Sequence, residues 1–119
     1  MRVTIAHSEK TTGLIFRTTR YVVQTTIEFT DAELDVIEGR KLSSVVVMER
    51  EPPSDSNERL RQDYNMTIGN LTRGTDTYAL DTPIEAKNYD NELRGRLRLL
   101  KDYIDNNAEA VRGSDTFEL

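Results

Sequence analysis

At 119 residues the chain suits one domain that can bury a single core without covalent staples. It has no cysteine, which excludes thiol catalysis, thiolate metal sites and disulfides, and its net charge of −5 argues against nucleic acid or anionic membranes as the main partner. No stretch approaches the ~20 apolar residues needed to cross a bilayer, and the first seven residues hold too few for a signal peptide, so a cytoplasmic protein with no membrane partner is expected.

Residues 2–6 alternate, with Val3 and Ile5 on one face, and predict an opening strand. Ser8 to Gly13 is polar and ends in glycine, so a turn is expected there, with Leu14-Ile15-Phe16 opening a second strand paired to the first. The strongest strand signal runs from Tyr21 to Phe29, where Tyr21, Val23, Thr25, Ile27 and Phe29 alternate with Val22, Gln24, Thr26 and Glu28. One apolar and one mostly polar face favours an antiparallel sheet, because strands of parallel sheets are usually apolar on both sides.

A short helix is predicted from Asp31 to Glu38. Thr30 and Glu33 form a capping box, Gly39 is placed to end the helix in a left-handed conformation, and Leu34 and Ile37 face the core. Val45 to Met48 reads as a further strand. From Glu49 to Asp63 the chain is highly polar, and Pro52-Pro53 bars both a continuous helix and a central strand. This predicts a long loop, with room for a short helix from Ser54 to Gln62. Tyr64 to Leu71 reads as a strand with Met66 and Ile68 inward, Arg73-Gly74 as a turn, and Thr77 to Leu80 as the last strand.

The clearest element closes the chain, a helix from Thr82 to Ala108. Thr82 caps it, Pro83 suits its first position and Glu85 completes a second capping box. Ala86, Tyr89, Leu93, Leu97, Leu100 and Ile104 fall on one narrow face at 100° per residue. The fold class that follows is α+β: a mostly antiparallel sheet of five or six strands with two helices on one face, in the order β-β-β-α-β-β-β-α. Residues 1–108 form one domain and 109–119 read as a loose tail.

Few residues point to chemistry. His7 is the single histidine, and its neighbours Ser8 and Glu9 point away from it if the segment is a strand. No Gly-x-Ser-x-Gly elbow and no phosphate-cradling glycine loop occurs, and the acidic face Asp31, Asp35, Glu38 lacks the spacing of a calcium loop. No catalytic residue, metal site or cofactor is therefore nominated, and a small acid–base enzyme is the weakest reading. A second reading is an anion or nucleic-acid site on Lys87, Arg94, Arg98 and Lys101, which share one side of the long helix. The leading reading is a non-catalytic protein-interaction or regulatory module. The long helix is expected to project past the sheet and to offer Leu97, Leu100, Tyr103 and Ile104 to a protein partner or to a second copy in a homodimer.

Overall fold

The computed structural model describes residues 1–52, 57 and 63–112, the last four of them by backbone alone. The described elements are β1 (Arg2–Thr12), β2 (Thr18–Glu28), α1 (Asp31–Gly39), β3 (Val46–Met48), β4 (Met66–Thr67), α2 (Ile68–Arg73), β5 (Asp76–Leu80) and α3 (Pro83–Arg112). The class is α+β with antiparallel pairing throughout the described strands.

The strands do not form one sheet of five or six. A three-stranded sheet has the order β1-β2-β5, and β3 pairs with β4 in a separate two-stranded sheet. Two predicted strands account for the difference. Leu14-Ile15-Phe16 is not a strand but the tip of a hairpin whose strands pair from Arg2↔Glu28 out to Thr12↔Thr18. Tyr64 to Leu71 holds only two strand residues before the chain turns into α2, where the Thr67 hydroxyl accepts from the Asn70 amide at 3.2 Å and caps a third helix. The amides of Ile68 and Gly69 bond the carbonyls of Val45 and Ser43 at 3.0 and 2.8 Å, which ties α2 to the chain leading into β3. A Cβ on Gly69 would lie 2.9 Å from the Ser43 oxygen, so this close approach requires glycine.

The alternation predicted in β2 sorts its residues as expected except at Val22, which is buried on the face otherwise turned to water. Val23, Thr25 and Ile27 are buried, with Val3, Ile5 and His7 beside them on β1 and Asp76, Tyr78 and Leu80 on β5. Arg2, Thr4, Gln24, Glu28 and Thr77 lie on the opposite face, exposed to solvent. α3 covers the apolar face along β2 and β5, and further along it packs against β3 and α1. Its whole predicted stripe, from Ala86 to Ile104, is buried in one core with Val36, Ile37, Leu42, Met48, Met66, Ile68 and Leu71. In α1 the core positions are Val36 and Ile37, and Leu34 is exposed.

The first predicted capping box forms in full and the second only in part. The Glu33 amide donates to the Thr30 hydroxyl at 3.1 Å while the Thr30 amide donates to Glu33 Oε1 at 2.9 Å. At α3 the Glu85 amide donates to the Thr82 hydroxyl at 3.1 Å, but the Glu85 carboxylate accepts from the amide of Asp81. α1 ends one residue later than predicted: Gly39 is still helical and Lys41 takes the left-handed conformation at φ 55°. The Leu42 amide then bonds the Ile37 carbonyl at 2.9 Å, closing a Schellman motif with both side chains in the core. α3 continues to Arg112, four residues past Ala108. Apart from Asn57, the expected helix over 54–62 lies outside the described residues, as do residues 113–119.

Candidate interaction groove

α3 runs antiparallel to β1. Pro83 to Asp90 lies beside His7 to Glu9, and Arg94 to Lys101 lies beside Met1 to Ile5. β1 is one of the sheet's two outer strands, and among the described residues its outer edge is unpaired, so a groove opens between that edge and the helix. One stretch, about 550 Å³, has Met1, Val3, Ile5 and Leu97 as its apolar floor and Arg94, Arg98 and Lys101 along its rim. The next stretch holds His7, Tyr21, Lys87 and Asp90. The four cations predicted as a stripe thus all border one groove.

Their electrostatic states differ. Arg94 is tied to Asp90, four residues earlier, and this pairing raises its pKa. Burial pushes the Asp90 carboxyl up, but bonds from Arg94 and His7 outweigh it and hold the group below its ordinary value. Lys101 bridges Asp105 at 2.9 Å and Glu33 at 3.3 Å, which raises its pKa. Arg98 and Lys87 are exposed and have no carboxylate partner among the described residues.

His7 Nε2 bonds Asp90, which orients the ring as in many acid–base sites. Among the described residues, however, no hydroxyl is hydrogen-bonded to His7, and Ser8 belongs to the opposite face of the strand. No group of three acidic or histidine side chains positioned for a metal ion occurs among the described residues. The acidic face of α1 stays exposed, and the helix meets α3 through Glu33 instead.

The proposed contact residues fall into two groups. Leu97, Leu100 and Ile104 are buried in the chain's own core, because α1 and β3 cover the part of α3 that was expected to overhang the sheet. In this fold they belong to the core, and Leu97 reaches the β1 groove only as part of its floor. Tyr103 is 42% exposed and sits with Leu99 and Val46 on the outer flank of the helix. No family model, curated protein or solved structure matches this chain.

Sequence reasoning missed one buried polar cluster. The Arg50 guanidinium bonds Asp76 at 2.7 Å, the Tyr64 carbonyl at 2.7 Å and the Tyr89 hydroxyl at 3.3 Å, and stacks 4.9 Å from the Tyr78 ring centre. Burial alone lowers the Arg50 pKa, but the bond and charge of Asp76 outweigh it and raise the value. Burial raises the pKa of Tyr78 and Tyr89. The cluster anchors the start of the polar 49–63 segment to β5 and α3. Asp76 and Tyr89 lie 26 and 39 positions from Arg50, too far for any local pattern to reveal them.

Proposed function

We propose that the protein is a non-catalytic protein-interaction module that takes an extended acidic segment of a partner as an added strand on the free edge of β1. The observation that carries this reading is the eleven-residue open edge lying beside a groove with an apolar floor and a cationic rim. Every second residue of an antiparallel edge strand directs both its N–H and its C=O outward, a template for one more strand. Main-chain bonds then supply affinity, and side chains set specificity. Alternate side chains of the added strand would lie on the α3 side, within reach of Arg94, Arg98 and Lys101. Carboxylates there would meet guanidinium groups suited to bidentate pairing.

The test is fluorescence anisotropy with a labelled ten-residue peptide of alternating glutamate and valine. Binding should weaken with salt and fall about tenfold when Arg94 and Arg98 are both changed to alanine, as expected for two solvent-exposed ion pairs. Binding that ignores both salt and substitution would sink the proposal, as would no binding at all.

A second reading is a homodimer through the outer flank of α3, favoured by the adjacent exposure of Val46, Leu99 and Tyr103. Light scattering should then give twice the monomer mass of 13.6 kDa. The Leu99→Glu/Tyr103→Glu variant should return it to one chain while remaining folded.

A further inference from the structure

We propose that the tip of the β1–β2 hairpin is a membrane-contact site, inserting Leu14, Ile15 and Phe16 into the surface of an anionic bilayer while Lys10 and Arg17 meet lipid headgroups. These three residues are 100%, 87% and 88% exposed. No other run of consecutive large apolar side chains on the described surface is so bare. The tip is a built turn. Gly13 holds φ at +104°, and a Cβ there would lie 2.1 Å from the Phe16 carbonyl oxygen, so only glycine lets the chain close and present the three side chains outward.

Shape narrows the choice of partner. β5 pairing ends at Tyr21↔Leu80, so Lys10–Arg20 forms a two-stranded arm with no third strand paired to it among the described residues. All three side chains are almost fully bare, so none is covered by the rest of the described chain. A flat protein surface would cover one side. Full burial needs a deep pocket or a penetrable medium, and a bilayer surface is the second of these.

Charge points the same way. From Lys10 to Arg20 the arm carries three cations and no anion, a local +3 on a chain of net −5, which leaves −8 for the remainder. Arg20 is paired with Asp81 at 3.2 Å, whereas Lys10 and Arg17 have no carboxylate partner among the described residues. Between Lys10 at the base of the arm and Arg17 at its tip lie Thr11, Thr12, Thr18 and Thr19, whose hydroxyls suit a hydrated headgroup layer; Thr11 and Thr19 bond each other at 3.0 Å. The three residue pairs of the arm add roughly 10 Å at about 3.4 Å per residue, and the turn adds more. That exceeds the ~8 Å screening length of physiological salt, so the acidic body does not cancel the attraction of the tip for an anionic surface. Apolar insertion combined with a few basic contacts is the usual composition of reversible peripheral binding. No described helix is long and apolar enough to cross a membrane, and this mode needs none.

The chain contains no tryptophan, so Phe16→Trp gives a single spectroscopic reporter at the tip. Its emission should shift to the blue with vesicles of phosphatidylcholine and phosphatidylserine, and much less with phosphatidylcholine alone. The Leu14→Ser/Ile15→Ser variant should lower vesicle co-sedimentation by about tenfold or more, with an unchanged melting curve because the tip touches no core residue. Lys10→Ala/Arg17→Ala should remove the preference for the anionic vesicles. Three results would overturn the proposal: no vesicle binding, vesicle binding that the serine variant leaves intact, or a blue shift produced by raising protein concentration or adding duplex DNA with no lipid present. None of these readouts depends on the β1 groove.

Discussion

Glu33 joins three parts of the chain. It completes the cap of α1 through Thr30, pairs with the Met1 ammonium at 2.9 Å, and receives Lys101 of α3 at 3.3 Å. Burial pushes its carboxyl up, but the Thr30 amide, the Met1 ammonium, the Thr30 hydroxyl and Lys101 together lower it from 4.5 to about 2. A carboxyl depressed in the folded state contributes stability that is complete above its unfolded pKa and is lost as pH falls through the folded one. Unfolding midpoints should therefore drop between pH 4.5 and about 2, and Glu33→Gln should flatten that part of the profile while keeping the cap. The Thr30–Glu33 box was legible in the sequence because capping is local. The bond to Lys101, 68 positions away, was not. Thr25 presents the opposite case: its hydroxyl is fully buried and finds no partner among the described residues. Thr25→Val keeps the shape and removes the unpaired group, so urea unfolding should show a gain of about 1 kcal/mol. The buried Arg50–Asp76 pair behaves in reverse. Asp76→Asn should cost about 3–5 kcal/mol in the same assay, because a buried cation loses its counter-charge.

Among elements, legibility followed the length of the periodic signal. α3 and β2 carry long stripes, and their core-facing residues were read correctly from spacing alone, whereas the burial of Val22 on the other face of β2 was not. Short apolar runs were ambiguous. Leu14-Ile15-Phe16 has the composition of a strand, but nothing local distinguishes a run that is buried from one displayed on a turn. The deciding facts are the Gly13 conformation and the register that pairs Thr12 with Thr18. Tyr64 to Leu71 failed for a related reason: the Thr67 cap and the close approach of Gly69 to Ser43 convert the segment to helix, and the second depends on a neighbour 26 positions away. The groove was half legible. Arg94, Arg98 and Lys101 were seen as one side of a helix, whereas the strand edge opposite them depends on topology. The same distinction decides what Leu100→Asp does. Leu100 lies in the core against β3, so the variant should lose the cooperative melting transition, with a penalty of about 4–5 kcal/mol or more for a buried unpaired charge. A folded variant that merely changed mass in light scattering would mean that Leu100 faces a partner after all.

At the scale of the whole molecule, shape and charge divide along the same line. The chain is 73 Å long with a radius of gyration of 17.6 Å, against roughly 13–14 Å for a compact domain of this size. The hairpin arm extends beyond the start of α3 at one end, and the far turns of α3 extend at the other. The arm contributes no residue to the buried cluster, so it can be shortened without touching what holds the fold. Replacing residues 11–19 with Asn-Gly, the two-residue turn suited to a hairpin closed by the Lys10–Arg20 pair, should leave the melting temperature within about 2 °C of the parent. Small-angle scattering should show a shorter longest dimension, and peptide binding at the β1 groove should persist, since Met1 to Ile5 and α3 are unaltered. A fall of more than about 5 °C would make the arm part of the folding unit. Retained stability with lost vesicle binding would mark it as an appendage whose exposed apolar tip serves contact and not folding.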